Sequence, residues 1–178
     1  LSSMSHDIRT PMNAIVGMTE IAFAHLNDPE KVGSCLKKIS LSSQHLLGLI
    51  NDVLDMSKIE SGKMALRYDS MNLPEVMENV IAIVQPMLKS RKQLFSIQLK
   101  NIVHEQFSCD TLRLRQILIN VLSNASKFTP SQGRITINIE EIPSETSGET
   151  QMIFTFTDTG IGMKPEFLDH IFDAFTRE

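Results

Sequence analysis

Across the first 60 residues the apolar side chains recur in steps near three and four, and this repeat commits the segment to amphipathic helix. Met4, Ile8, Pro11 with Met12, Ile15, Met18, Ala22 and Leu26 form one stripe. Val32, Cys35, Ile39, Leu46, Leu49, Val53 and Met56 form another, with Ser42 the one gap. The break between the two helices falls at Asn27-Asp28-Pro29-Glu30. There Asp28 supplies a cap, Pro29 takes the tolerated first helical position, and Glu30 suits the positive end of the helix dipole. A further stripe on the second helix, Leu36, Leu47, Ile50 and Leu54, widens its apolar face beyond what one partner helix can cover. Two hairpins packed as a four-helix bundle would cover it, so a homodimer is expected.

At Glu60-Ser61-Gly62-Lys63 the pattern changes. Residues 64–72 read as a short strand, and 74–92 as an amphipathic helix in which Pro86 places a kink or an early stop. Residues 94–99, and then Ile102-Val103, read as strand. Residues 110–128 form a strongly periodic helix through Leu112, Leu114, Ile117, Leu118, Val121 and Leu122. Residues 134–142 alternate as a strand, 143–149 form a polar hairpin loop, 151–157 are the returning strand, and Pro165 begins a short helix. The expected architecture has two domains: an all-α helical hairpin over 1–60, and over 61–178 an α+β sandwich whose mixed sheet carries helices on one face.

Composition narrows the function. A chain of 178 residues with 42% hydrophobic and 21% charged side chains is globular and long enough for one ordinary domain or two small ones. Its net charge of −4, from 17 Lys and Arg against 21 Asp and Glu, offers no field for a polyanion, so nucleic acid is not an expected partner. The longest apolar run, Val80-Ile81-Ala82-Ile83-Val84, is far short of the ~18–20 residues of a membrane span, so no membrane contact is expected of this segment. Cys35 and Cys109 match no metal or redox spacing, which makes reduced thiols in a cytoplasmic setting the expectation. The chain opens at Leu1 without an initiator Met and stops at Phe175-Thr176-Arg177-Glu178 without a capping signal, and so reads as a piece of something larger.

Three clusters carry chemistry. In Ser5-His6-Asp7-Ile8-Arg9-Thr10-Pro11, His6 falls between the core positions Met4 and Ile8, so its ring should face water. An exposed helical His is usually no more than that. Here Asp7 is placed to accept a proton from the imidazole or to orient it, leaving the other ring nitrogen as nucleophile. Thr10 projects beside His6 one turn on, and Pro11 removes the amide that would bond the carbonyl of Asp7. In the second cluster, Asn120, Asn124 and Lys127 line one face of a helix whose other face is apolar. Two amide oxygens in a column can hold a hard cation and a Lys one turn away can meet phosphate, the elements of a Mg-nucleotide contact. A solvated polar face is the plainer alternative, although Asn is a poor helix former. In the third, Asp158-Thr159-Gly160-Ile161-Gly162 follows an apolar strand. Its glycines allow close backbone approach, and Asp158 can accept from an exocyclic amine such as that of adenine. Asp-Thr-Gly is also how an aspartic protease presents its carboxylate, a reading that the helical weight of the chain opposes. Ile171-Phe172-Asp173-Ala174-Phe175 reads by default as helix-end core.

In order, His-Asp-x-x-Thr-Pro on a helical hairpin, Asn-x-x-x-Asn-Ala-x-Lys-Phe-Thr, Asp-x-Gly-x-Gly and Phe-x-x-Phe resemble the catalytic core of a sensor histidine kinase of two-component signalling. The resemblance covers essentially the whole chain. It implies that His6 is the phosphoacceptor, Asp7 its acid/base neighbour, and Thr10 the residue that positions water for dephosphorylating the partner. It further implies that Asn124 with Asn120 holds Mg²⁺ against the ATP phosphates, that Lys127 touches those phosphates, and that Asp158 reads the adenine amine. Gly160 and Gly162 would shape the pocket, with Phe172 and Phe175 packed under a mobile lid. Related ATPases of this fold carry a Glu where Asn120 stands. Lacking that general base, the site should spare ATP from water and phosphorylate an imidazole. The implied partners are a second copy of the chain and the receiver domain of a response regulator, on the cytoplasmic side, with the parent commonly membrane-anchored. The family continues past this point into a lid and a second glycine-rich segment. Without them the segment would act as a non-catalytic docking module or a pseudokinase, the alternative expectation.

Overall fold

The computed structural model describes residues 2–146, 148–169 and 171–172, with side chains from Ser5 onward. The described residues fall into two compact units, 2–65 with 171–172, and 66–169. In the first unit, α1 (Ser2–Ala24) packs against α2 (Pro29–Glu60) as a hairpin. Asp28 caps α2 as expected, its carboxylate accepting the amide of Lys31 at 3.0 Å. The helix stops where Gly62 turns left-handed at φ +65° and the Lys63 amide reaches back to the carbonyl of Lys58 at 2.9 Å.

Burial separates the stripes on α2. Cys35 is buried, and Val32, Ile39, Leu46, Leu49, Val53 and Met56 are half-buried against α1. Leu36, Leu47, Ile50 and Leu54 stand 42–59% exposed. On α1, Pro11 and Ala22 are buried and Ile8, Ile15 and Met18 half-buried, whereas Met12 is exposed. Leu26 is exposed too, because α1 ends at Ala24 and leaves it in the turn.

The second unit contains β1 (Asp69–Asn72), α3 (Leu73–Ser90), β2 (Leu94–Lys100), β3 (Gln106–Cys109), α4 (Thr111–Phe128), β4 (Arg134–Pro143), β5 (Thr150–Asp158) and α5 (Pro165–Leu168). The strands form a mixed three-stranded sheet and a separate pair. β2 and β4 run parallel, β4 and β5 antiparallel, and β1 pairs antiparallel with β3. Asn72 and Asp110 cap α3 and α4, accepting from Glu75 N at 3.0 Å and Arg113 N at 3.1 Å. Ile135, Ile137 and Ile139 on β4 are fully buried and alternate with half-buried polar residues. With Val80, Val84 and Leu88 of α3 and Leu118 and Leu122 of α4 they make one core, so both helices cover the same face of the mixed sheet.

Three expectations need correction. The strand expected over 64–72 is confined to Asp69–Asn72. α3 runs through Pro86 to Ser90, so the proline neither stops it early nor shortens it by a turn. Ile102-Val103 is not a strand, and β3, four residues later, is one the periodicity did not reveal. The cause is Glu141 at the last inward position of β4. Its carboxylate accepts the consecutive amides of Val103 (2.7 Å) and His104 (3.0 Å) as well as the His104 ring. Successive amides of a strand point to opposite sides, so two aimed at one oxygen impose a turn. These donors, the His104 amide foremost, hold the Glu141 carboxyl down at about 2 against the opposing effect of burial.

Candidate functional site

On α1, Ser5 and His6 are exposed and Asp7 is half-buried. The His6 side chain stands 79% in solvent, with Nδ1 3.9 Å from Asp7 Oδ1. Thr10 donates its hydroxyl to the His6 carbonyl at 3.1 Å, one turn back along its own helix. Pro11, buried in the seam, has no amide to offer the Asp7 carbonyl. The result is an imidazole on a rigid helix, open to a reactant, with a carboxylate beside one nitrogen.

The other clusters belong to the second unit. Asn120, Asn124 and Lys127 are all exposed on α4, while Leu118, Leu122, Ala125 and Ser126 bury the opposite face. Lys127 Nζ lies 4.9 Å from the centre of the half-exposed Phe128 ring. The end of β5 meets the end of α4 through the backbone, where the Ile161 amide donates to the Phe128 carbonyl at 3.3 Å. Asp158 folds back so that Oδ1 accepts the Gly160 amide at 2.8 Å. Thr159 ties the turn to β4, its amide donating to the Arg134 carbonyl (3.0 Å) and its hydroxyl oxygen accepting the Arg134 amide (2.9 Å).

The two glycines of this turn serve different ends. A Cβ on Gly160 would stand 2.6 Å from Asp158 Oδ1 and 2.8 Å from the Phe128 carbonyl oxygen, so residue 160 must be Gly for space. Gly162 has open surroundings but φ +70°, so it is Gly for conformation. The structure therefore brings Lys127 and Phe128 of α4 to the Asp158–Gly160 turn, with Asn120 and Asn124 extending the exposed face away from it. His6, Asp7 and Thr10 belong to the hairpin.

Phe172 departs from expectation: its ring is 97% exposed instead of packed, and Phe175 lies outside the described residues. No group of three or more His, Cys, Asp or Glu side chains among the described residues is arranged to hold a metal. A divalent ion here would depend on the Asn amide oxygens and on ligands brought by a nucleotide. Burial pushes the Cys109 thiol up, the direction that disfavours a thiolate. Sequence reasoning passed over Arg91 and Gln93, in the turn between α3 and β2, whose side chains reach the end of α4 from 33 or more residues away. No local pattern announces such a contact.

Two family models match the chain. The His Kinase A (phospho-acceptor) domain covers residues 1–62, and the histidine kinase-, DNA gyrase B- and HSP90-like ATPase covers residues 109–178. Together they mark the chain as a sensor histidine kinase catalytic core. This kinase core is 38% identical over 178 residues to the non-motile and phage-resistance protein of Caulobacter vibrioides, covering 98% of this chain and 21% of that protein. It is 37% identical to the circadian input-output histidine kinase CikA of Synechococcus elongatus over 98% of this chain and 23% of that one. It is also 34% identical to the sensory/regulatory protein RpfC of Xanthomonas campestris over 98% and 24%. The kinase core thus spans less than a quarter of the length of these relatives.

Among solved structures, full-length ShkA in complex with AMPPNP superposes with a TM-score of 0.69 at 26% identity, over 99% of this chain and 36% of that one. ThkA in complex with the response regulator TrrA superposes at 0.65 and 23% identity over 97% and 48%, a likeness of fold. Among the described residues no helix of the kinase core is long and apolar enough to cross a membrane.

Proposed function

We propose that this core is the autokinase engine of its protein, moving the γ-phosphoryl group of ATP to His6 and then to an aspartate of a response-regulator receiver domain. The observation that carries the reading is the solvent-exposed His6 ring with the Asp7 carboxylate beside Nδ1. Asp7 favours the tautomer whose proton sits on Nδ1, which leaves the Nε2 lone pair to attack phosphorus as the bond to the β-phosphate oxygen breaks and ADP departs. Thr10 is the residue we assign to positioning water for dephosphorylating the partner receiver domain.

Residues 1–60 would serve as dimerisation and phosphoacceptor hairpin, and 61–178 as the ATP-binding portion. The exposed Leu36, Leu47, Ile50 and Leu54 stripe supports a homodimer, since it is an apolar face that a second hairpin would bury. In the nucleotide site Asp158 would accept from the adenine amine, with Gly160 and Gly162 admitting the ring. Lys127 would face the phosphates, and Asn124 with Asn120 would hold Mg²⁺ together with phosphate oxygens. Hard amide oxygens suit such an ion, and glycine at 160 lets the Asp158 turn close against the Phe128 carbonyl at the end of α4. Asn120 carries no carboxylate, so the site offers no general base to water there. We place this chemistry on the cytoplasmic side, where ATP is available.

The test uses the protein that carries this chain. Incubation with ATP should give an acid-labile, base-stable phosphoprotein, and His6→Ala should abolish it. Labelling that persists in His6→Ala would sink the assignment of His6.

A further inference from the structure

An α-helix leaves its last four carbonyls without intrahelical partners, and how they are satisfied decides where its end lies. In α4 these are the carbonyls of Ala125, Ser126, Lys127 and Phe128, in the turn that presents Lys127 and meets the Asp158–Gly160 loop. Each is paired. Ala125 O accepts the Thr129 amide at 3.0 Å, and Phe128 O accepts the Ile161 amide at 3.3 Å. The other two are held by side chains from the α3–β2 turn. Arg91 Nη1 donates to Ser126 O and Lys127 O, both at 3.1 Å. Gln93 Nε2 donates to Ser126 O at 2.9 Å and to Thr129 O, just past the helix, at 2.7 Å. Gln93 Oε1 in turn accepts the buried Ser126 hydroxyl at 2.7 Å.

The turn is built for this delivery. Lys92, between the two residues, is left-handed at φ +54°, and the Leu94 amide is bound to the Gly133 carbonyl at 2.8 Å, which anchors the start of β2. Gln93 is buried, 8% exposed, so its amide has no water to fall back on. The guanidinium of Arg91 brings positive charge to the negative end of the α4 dipole. Pro130 follows directly, so helix continuation cannot supply the missing donors.

We propose that Arg91 and Gln93 are positioning residues of the nucleotide site: they clamp the carbonyl end of α4, and so fix where Lys127 and the Phe128 carbonyl stand relative to the Asp158–Gly160 turn. The proposal rests on the nucleotide reading of that site. Neither residue touches the ligand. Both act through the backbone of 126–129, and through the Phe128 carbonyl on the Ile161 amide.

The test compares Gln93→Leu, which keeps the bulk and removes the donor, with Ser126→Ala, which loses the hydroxyl contact and keeps both carbonyl bonds. Arg91→Lys keeps the charge but not the planar guanidinium nitrogen that reaches both carbonyls. Two readings are taken on each: the dissociation constant of a fluorescent ATP analogue with Mg²⁺, and amide hydrogen exchange at Thr129 and Ile161 against amides of β4. Gln93→Leu should weaken the analogue at least tenfold and speed exchange at Thr129 and Ile161 with β4 unchanged. Arg91→Lys should do the same to a smaller degree, and Ser126→Ala should stay within about twofold of the unaltered chain. A core truncation, Val80→Ala, controls for stability and should lower the melting temperature without selective exchange at those two amides.

The proposal is overturned if Gln93→Leu binds as tightly as the unaltered chain, if its Ile161 amide stays protected, or if Val80→Ala reproduces its pattern. If the unaltered chain and Asp158→Asn bind the analogue equally poorly, the nucleotide reading fails instead. The clamp is then judged on exchange alone, with acceleration confined to Thr129 and Ile161 upholding it and unchanged protection overturning it.

Discussion

Gly160→Ala is the sharpest perturbation of the second unit. The added carbon would lie 2.6 Å from Asp158 Oδ1, 2.8 Å from the Phe128 carbonyl oxygen and 3.1 Å from its carbon. A relaxed carbon–oxygen contact is about 3.3 Å, so the overlap with the carbonyl is about half an ångström. Asp158 can rotate away, which forfeits its bond to the Gly160 amide at 2.8 Å and costs about 1 kcal/mol. The Phe128 carbonyl belongs to a helix end clamped from the other side and can retreat only by stretching its 3.3 Å bond to Ile161. Overpacking of this kind costs about 1–3 kcal/mol, so the total should be about 2–4 kcal/mol. Gly162→Ala, two residues on, meets no atom and bears only its left-handed φ of +70°, about 1–2 kcal/mol. Urea unfolding followed by an amide probe in β5 measures both. Because Gly160→Ala also turns the Asp158 carboxylate out of place, it should lose at least tenfold in affinity for an ATP analogue. The reasoning fails if Gly160→Ala unfolds within about 0.5 kcal/mol of the unaltered chain, or if Gly162→Ala proves the costlier of the two.

Three further outcomes are expected. The Glu141 carboxyl is held at about 2 against an ordinary 4.5, so its contribution to stability is full above about 4.5 and drains away as pH falls toward 2. Glu141→Gln should flatten the acid limb of the stability–pH profile over that window, and an unchanged limb would count against the His104–Glu141 pinning. Thr129 is 1% exposed with no partner for its hydroxyl among the described residues, so Thr129→Val should be neutral or stabilising by up to about 1 kcal/mol, and a lower urea midpoint would contradict this. Asp28→Ala should cost the hairpin about 1 kcal/mol, seen as faster hydrogen exchange at the Lys31 amide.

The hairpin was legible because its information is local. Steps of three and four define a helix face whatever lies beyond it, and Asp28-Pro29-Glu30 punctuates the chain through groups that bond within one turn. The same holds for α4, capped by Asp110 three residues from its partner, and for the β4–β5 hairpin with its polar loop. Ile102-Val103 misled for the converse reason, since two β-branched residues favour strand until a carboxylate 38 residues away claims the adjoining amides.

The candidate site divides along the same line. Composition and spacing alone determined a helical hairpin bearing an exposed His6 beside Asp7, an Asn-rich face on a later helix, and a glycine turn after an apolar strand. Only the tertiary structure decided that Gly160 is needed for space and Gly162 for its backbone angle, and that the Phe128 carbonyl joins α4 to that turn. The same is true of the grip of Arg91 and Gln93 on the helix end from the far side. Side-chain periodicity records which face is buried, whereas the partners of a helix's last carbonyls come from wherever the fold brings a donor, and that leaves no trace in local spacing.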